Sequence, residues 1–412
     1  MKYLLIINND TDGVGQPAIN LCSNLIKKGH SSKIIALHKS LENPNVIKIK
    51  RSFFSRIFLY FLNFLKKDFN ELFGFGFSTI EYKNIEKHVM EADIIIIFTL
   101  YKIISNKILK KILNTNKIVY FRPLDIELAA GGCHFNKGCQ KFKSSCNKCP
   151  KFIFPNLMNY PTKNLFEKKK IFEKYKPRVF VQNNYVGKIF KSSNIFKNLK
   201  TFPVFIGTND KRNKFYSKKR AREILKVNQN EKIILFGAFD LSSEIKGGHL
   251  LVDALKILNK TISKDIKKRI RLITIGEKNN FSLNLKKIHW THFGVVASNK
   301  KLNLLYRAAD VLVCPSLYCF GPHIVTEALL NDLPVVGYNL GVAQDTVVNN
   351  VNGYLVPKYN NKIFASSIYK TLFLKKRKQT KLVNKIKSFC SSEYEANTII
   401  NYSQKDLDKK SI

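Results

Sequence analysis

The sequence predicts an α/β protein made of two doubly wound, parallel-sheet halves, and three observations carry that expectation. Short continuous apolar runs of strand length alternate with amphipathic helical stretches, as in parallel sheets covered on both faces. The alternation stops between Lys197 and Asn213 and then begins again. At 412 residues the chain is long enough for two domains, each with its own core.

In the first half Tyr3–Ile7 is a buried strand, Gln16–Lys28 an amphipathic helix and Ile34–Leu37 a second strand. The loop after the first strand holds Gly13, Val14 and Gly15, where glycine serves a tight turn or a close backbone approach. FFSRIFLYFLNFLKK, Phe53 to Lys67, has helical periodicity. It fits a core or groove-lining helix, or, with its basic flanks, one lying in a membrane interface. Strands follow at Ile94–Phe98 and Ile118–Phe121 around a helix at Ile104–Leu113, and Val179–Gln182 closes this half. TFPVFIGTND then reads as a strand and a linker, placing the boundary between 203 and 204. The second alternation runs Ile233–Phe236, a helix at Gly248–Lys260, Arg271–Ile275, His289–Phe293 and a helix at Lys300–Ala309. It extends to about 375, and a basic helical tail occupies 376–412. Both halves read as Rossmann-like.

The densest phrase is Asp310–Asp345, DVLVCPSLYCFGPHIVTEALLNDLPVVGYNLGVAQD. The strand Val311–Val313 leads to Gly321, Pro322, His323 and Ile324, which open a helix bearing Glu327; Leu333–Val336 is the next strand. Proline suits the first turn of a helix. Free amides and the helix dipole at that end hold phosphate, and a carboxylate on the inner face accepts ribose hydroxyls. His323 stands where it can touch the same ligand, or cap or pack.

This arrangement resembles the donor-sugar site of glycosyltransferase family 4. The resemblance implies a GT-B fold: two Rossmann-like domains facing across a cleft that holds the active site, with C-terminal helices crossing back to the first domain. Lys246 and Gly247, after the strand phrase Leu235–Ala238, match the family's diphosphate-binding loop. The family carries two glutamates with seven residues between them; Glu327 matches the second and Cys319 stands at the first. In FRPLDIELAAGGCH, Asp125 matches the acid of a His-Asp pair and Leu124 replaces the histidine. Of the family's interdomain phrase, Asp210 agrees best. The catalytic set is therefore expected to be Asp125, Lys246 and Glu327. Gly321, Pro322, His323, Ile324 and Gly247 join Lys246 and Glu327 in donor binding, and the Gly13–Gly15 loop faces the acceptor. No cofactor is required for catalysis, because helix amides and Lys246 carry the diphosphate charge.

A cysteine-rich insert lies at 131–150. Cys133, Cys139, Cys146 and Cys149 have a spacing suited to a structural zinc, with His134 in reserve; disulfides or free thiols are the alternatives. A subgroup of polysaccharide-building family 4 enzymes has a similar Gly-Gly-Cys-His and Cys-x-x-Cys-Pro insert.

The net charge of +42 favours anionic partners. No nucleic-acid module accompanies it, so no specific nucleic acid is expected. The start MKYLLIINND reads as a first strand rather than an export signal, and no apolar run is long enough to span a membrane. The expectation is a retaining glycosyltransferase moving a sugar from a nucleotide-diphosphate sugar to a glycan or lipid-linked acceptor of bacterial surface polysaccharide. It would be cytoplasmic, and peripheral on the anionic inner membrane face. A catalytically degenerate sugar-nucleotide binder, or a basic polyanion-binding protein on the same scaffold, is the alternative.

Overall fold

The computed structural model describes residues 1–410 except 12, 70, 158, 209–215, 284–287, 297, 319, 322 and 374–379. The chain divides into two compact units: Met1–Gly207 with Ser392–Ile412, and Thr208–Ser391. Asp210, in the expected linker, lies outside the described residues.

Unit 1 opens with β1 (Lys2–Asn9), α1 (Gly15–Lys27), β2 (Ser31–His38), β3 (Val46–Lys48) and α2 (Phe53–Phe64). It continues with α3 (Glu86–Glu91), β4 (Ile94–Ile97), α4 (Asn106–Leu113) and β5 (Ile118–Phe121). Then come α5 (Tyr160–Tyr175), β6 (Arg178–Val181), α6 (Asn184–Ser192) and β7 (Phe202–Pro203). The seven strands pair in the order β3-β2-β1-β4-β5-β6-β7, all in parallel. Register sets Leu5 of β1 beside Ile34 and Ile96. These side chains are fully buried, which is why the central strands read as unbroken apolar runs.

Unit 2 contains α7 (Lys218–Ile224), β8 (Lys232–Asp240), α8 (Gly248–Thr261), α9 (Lys264–Lys268), β9 (Ile270–Glu277) and β10 (His289–His292). It continues with α10 (Asn299–Ala308), β11 (Val311–Cys314), α11 (His323–Leu330), β12 (Val335–Tyr338) and α12 (Gly341–Thr346). β13 (Gly353–Val356), α13 (Asn361–Phe373) and α14 (Thr380–Cys390) complete it. Its six strands run β10-β9-β8-β11-β12-β13, again all parallel. In each sheet the strand order reverses once, between β1 and β4 and between β8 and β11. Such a switch opens a crevice at the carboxyl ends of the strands.

The basic tail does not behave as one piece. α14 stays with unit 2, and α15 (Ser392–Asp408) belongs to unit 1. Ala396 and Ile399 of α15 enter the core built by β1, β2, β4 and α1. A fully buried ion pair pins the helix: Arg122, just past β5, donates from Nε to Glu395 Oε1 at 2.9 Å and from Nη1 to the Phe180 carbonyl at 3.0 Å. The other Glu395 oxygen accepts from the Gly207 amide at 2.7 Å. Tyr120 and Arg178 both donate to Asp406 near the end of the helix.

α2 departs from one of its expected roles. Only Leu59 and Leu62 of this helix are buried, so it is not a core helix, and its remaining aromatic side chains face solvent.

Candidate functional site

A cavity of about 290 Å³ in unit 2 lies at the β8/β11 switch. Gly237, Ala238 and Phe239 of β8 and Ile275 and Gly276 of β9 form its sheet side, and Ser316 follows β11. Lys246 lines the same cavity, as do His323, Ile324 and Glu327 of α11. Four expected donor residues, drawn from loops and a helix spread over eighty positions of sequence, thus share one wall-to-wall space.

Local structure explains how each arrives there. Gly247 holds φ +71°, and a Cβ on it would sit 2.0 Å from the Pro315 carbonyl oxygen, so glycine lets the Lys246 loop close against the end of β11 before α8 starts. Glu327 sits in the second turn of α11, and its Oε2 accepts from the Tyr306 hydroxyl of α10 at 2.7 Å, which fixes the carboxylate. Thr326 bonds back to the His323 carbonyl at 2.9 Å within the first turn. Gly247 shapes the Lys246 loop but, like Gly321, does not line the cavity; Pro322 and Cys319 lie outside the described residues. Tyr306, Phe239 and Gly276 went unmarked in the sequence. Only Gly276, directly after a strand of apolar residues, gave a local signal.

A larger cavity, about 550 Å³, opens in unit 1 beside Ile118, Arg178 and Asp406. Ile118 and Arg178 are the first residues of β5 and β6, so that cavity sits at the amino ends of the strands, the wrong edge for a site of this fold.

At the carboxyl edge of the unit 1 sheet the polar residues pair with one another. Asp125 Oδ1 accepts from the Glu127 amide at 2.8 Å, and Oδ2 bonds His134 Nδ1 at 2.5 Å. Glu127 Oε2 accepts from Thr99, Leu100 and Tyr101 in the loop after β4. Lys168 of α5 is buried and donates to the Glu127 and Ala130 carbonyls. Burial pushes the Glu127 carboxyl up and the Lys168 amine down from their ordinary values. For His134 burial lowers the pKa, but Asp125 and Glu127 outweigh it and the net shift is upward. Asp125 is thus engaged at both oxygens inside unit 1.

In the loop expected to face the acceptor, Gly15 is required by packing, since a Cβ would lie 2.3 Å from the Asp10 backbone, whereas a Cβ on Gly13 meets open space.

The four thiol residues Cys133, Cys139, Cys146 and Cys149 line one void of about 10 Å³, and none is in a disulfide. The Cys133 thiol donates to Cys149, holding the Cys149 pKa down at about 7, while Cys133 is pushed up. Cys146 and Lys148 adopt positive φ, 54° and 45°, in the turn of the Cys-x-x-Cys segment. Among the described residues, however, the group of His, Cys, Asp and Glu close enough to share an ion is Asp125, Glu127 and His134. Asp125 uses both oxygens and Glu127 accepts at Oε2, while His134 Nε2 is buried with no hydrogen-bond partner among the described residues. His134, the reserve thiol-site ligand, turns to Asp125 instead.

Residues 217–389 match the family model described as Glycosyl transferases group 1. Among curated protein sequences no match is found. Solved structures resemble the whole chain. Sucrose-phosphate synthase from Thermosynechococcus elongatus superposes with a TM-score of 0.70 at 16% identity, over 99% of this chain and 100% of that one. The fold is the two-Rossmann GT-B fold. HepE of Anabaena, solved with UDP-glucose, gives a TM-score of 0.68 at 14% identity over 98% of this chain and 100% of its own. WaaG, a glycosyltransferase involved in lipopolysaccharide biosynthesis, gives 0.60 at 11% identity over 96% and 95%. The group 1 match covers most of unit 2 and includes every residue lining the unit 2 cavity described above.

Proposed function

We propose that the protein is a retaining glycosyltransferase that uses a nucleoside diphosphate sugar and extends a glycan or lipid-linked acceptor in surface polysaccharide assembly. The observation that carries this reading is the convergence of Lys246, His323, Ile324 and Glu327 on one cavity at the β8/β11 switch, inside the group 1 match. HepE, solved with UDP-glucose, supports a nucleotide sugar as donor, and WaaG supports a surface-glycan setting.

In this reading the amino end of α11 and the Lys246 ammonium hold the diphosphate. Glu327, oriented by Tyr306, accepts the ribose hydroxyls, and Phe239, exposed at the rim, offers a face to the base. The bond between the anomeric carbon and the diphosphate breaks, with the electron pair leaving on the phosphate oxygen. The acceptor oxygen bonds to the same face of that carbon, and its proton passes to the departing diphosphate. No protein nucleophile and no metal enter this path. Unit 1 takes the acceptor, with the Asp125–His134 pair keeping its strand-end loops in place.

Cys319 at the position of the first family glutamate favours a second reading, a nucleotide-sugar binder without turnover. Calorimetric titration with UDP-, GDP-, ADP- and CMP-sugars, followed by product analysis with an acceptor glycan, separates the two. Binding with transfer supports the enzyme, binding without transfer supports the binder, and no binding removes both.

The cysteine loop takes a structural zinc in this reading. The lining of one void by all four thiols supports it, since a structural zinc takes four such ligands. Metal analysis of purified protein should find one equivalent, lost in Cys149→Ser; metal-free wild-type protein would refute it.

A further inference from the structure

α2 carries an apolar surface that no element among the described residues covers. Phe53, Phe54 and Phe61 are 65%, 82% and 63% exposed. Ring contacts group the aromatics of this surface: Phe53 pairs with Phe54 at 6.0 Å between ring centres, Phe61 with Tyr60 at 6.3 Å, Tyr60 with Phe64 at 5.0 Å, Phe64 with Phe69 at 5.2 Å, and Phe58 with Phe77 at 5.4 Å. A second exposed segment adjoins it, because the Ile153 amide bonds the Leu65 carbonyl at 2.9 Å, and Phe154 and Leu157 are likewise exposed. Surface aromatics scattered singly need no explanation, but a contiguous patch does.

The charges beside the patch say what it meets. A groove of about 480 Å³ runs along α2, and Arg51, Arg56 and Lys102 line it together with Tyr60 and Phe61. Among the described residues no acid lines it. The cations feel one another: burial and then Arg56 lower the Arg51 pKa, and burial and then Arg51 lower that of Lys102. Lys102 is held there by a left-handed backbone, φ 62°, whose carbonyl accepts from the Thr79 amide at 2.7 Å. Of the nearby acids, Glu71 is engaged with Lys137 and Lys151, and Asp68 acts on Lys66. α2 itself contains no acid.

We propose that this face docks unit 1 on an anionic phospholipid bilayer, with the α2 aromatics in the headgroup boundary and Arg51, Arg56 and Lys102 against the lipid phosphates. A helix with bulky aromatics on one side and basic groups at its edge lies in the interface plane, held by apolar burial and by attraction to anionic lipid. The groove lets the cations reach phosphate depth while the rings enter the acyl boundary. The membrane contact uses unit 1 alone and stands whether or not unit 2 binds a nucleotide sugar.

The test is co-sedimentation of the full chain with vesicles of phosphatidylcholine alone and with phosphatidylglycerol added, at low and high salt. Wild type should bind the anionic vesicles and release as salt rises. Phe54→Ser with Phe61→Ser should weaken binding about tenfold or more. Arg56→Gln and Lys102→Gln should each weaken it about fivefold, the equivalent of about 1 kcal/mol per charge. All variants should keep the wild-type melting midpoint, because the altered side chains are exposed or line an open groove. Equal binding to neutral vesicles, no vesicle binding, or variants that bind like wild type would overturn the proposal. So would a lipid-free dimer that Phe54→Ser dissociates, which would make the patch an interface between copies of the chain.

Discussion

The carboxyl edges of the two parallel sheets both collect charged residues, but those residues face different things. In unit 1 Asp125, Glu127, His134 and Lys168 are joined to one another or to backbone, and Arg122 is closed on Glu395. In unit 2 Lys246, His323 and Glu327 line a cavity of about 290 Å³. An acid just after a parallel strand is therefore weak evidence of chemistry. What matters is whether it lines a space a ligand can enter, as Glu327 does with Oε2 held by Tyr306, or is closed within the fold at both oxygens, as Asp125 is.

That contrast predicts opposite phenotypes. The largest effect should come from Glu395→Ala, which leaves the Arg122 guanidinium buried without its carboxylate; about 3–5 kcal/mol of stability should be lost in urea unfolding. Donor affinity in the protein that stays folded should not change. Glu327→Ala should do the reverse, weakening nucleotide-sugar binding by about 1.5–3 kcal/mol in calorimetric titration, the range of hydrogen bonds to charged groups, with the fold retained. If Glu327→Ala melted the protein and left binding intact, the two regions would not differ as described.

Gly247→Ala sits between these extremes. A side chain at φ +71° is strained and would meet the Pro315 carbonyl, so the Lys246 loop should shift, with a stability cost of about 1–2 kcal/mol by thermal melting and a weaker diphosphate grip. The smallest effect should be seen at Asp406. Burial raises its pKa, but hydrogen bonds from Arg178 and Tyr120 more than offset this, so the folded value falls below the ordinary 3.8. A depressed carboxylate contributes stability above its unfolded pKa and loses it as pH falls through the folded one. The wild-type advantage over Asp406→Asn should thus be full at pH 5 and above and shrink on acidification below pH 3.8, as measured by unfolding at stepped pH. An advantage that grew toward acid pH would contradict the assignment.

The sequence made the sheets legible because fully buried parallel strands are continuous apolar runs, as in Ile94–Ile97 and Val311–Cys314. It made much of the unit 2 cavity's lining legible because His323, Ile324 and Glu327 lie within five consecutive positions of one helix. Tyr306 and Phe239 were not legible, since they reach the cavity from separate elements that only the β8/β11 pairing brings together. The fate of Asp125 was hidden for the same reason: its partner His134 lies across a loop, and nothing in the spacing says that they meet. Helical periodicity in the tail likewise could not tell that α14 and α15 join different units, which the Arg122–Glu395 pair decides for α15. The exposure of α2 was also unreadable, because its apolar face looks alike whether it meets a core or a bilayer.

The most direct test is titration of UDP-glucose into wild type, Glu327→Ala and Asp125→Ala by calorimetry. The unit 2 cavity as donor site predicts saturable binding to wild type and to folded Asp125→Ala, and at least tenfold weaker binding to Glu327→Ala. Equal affinity for wild type and Glu327→Ala, or binding abolished only in Asp125→Ala, would contradict it and move the donor to unit 1.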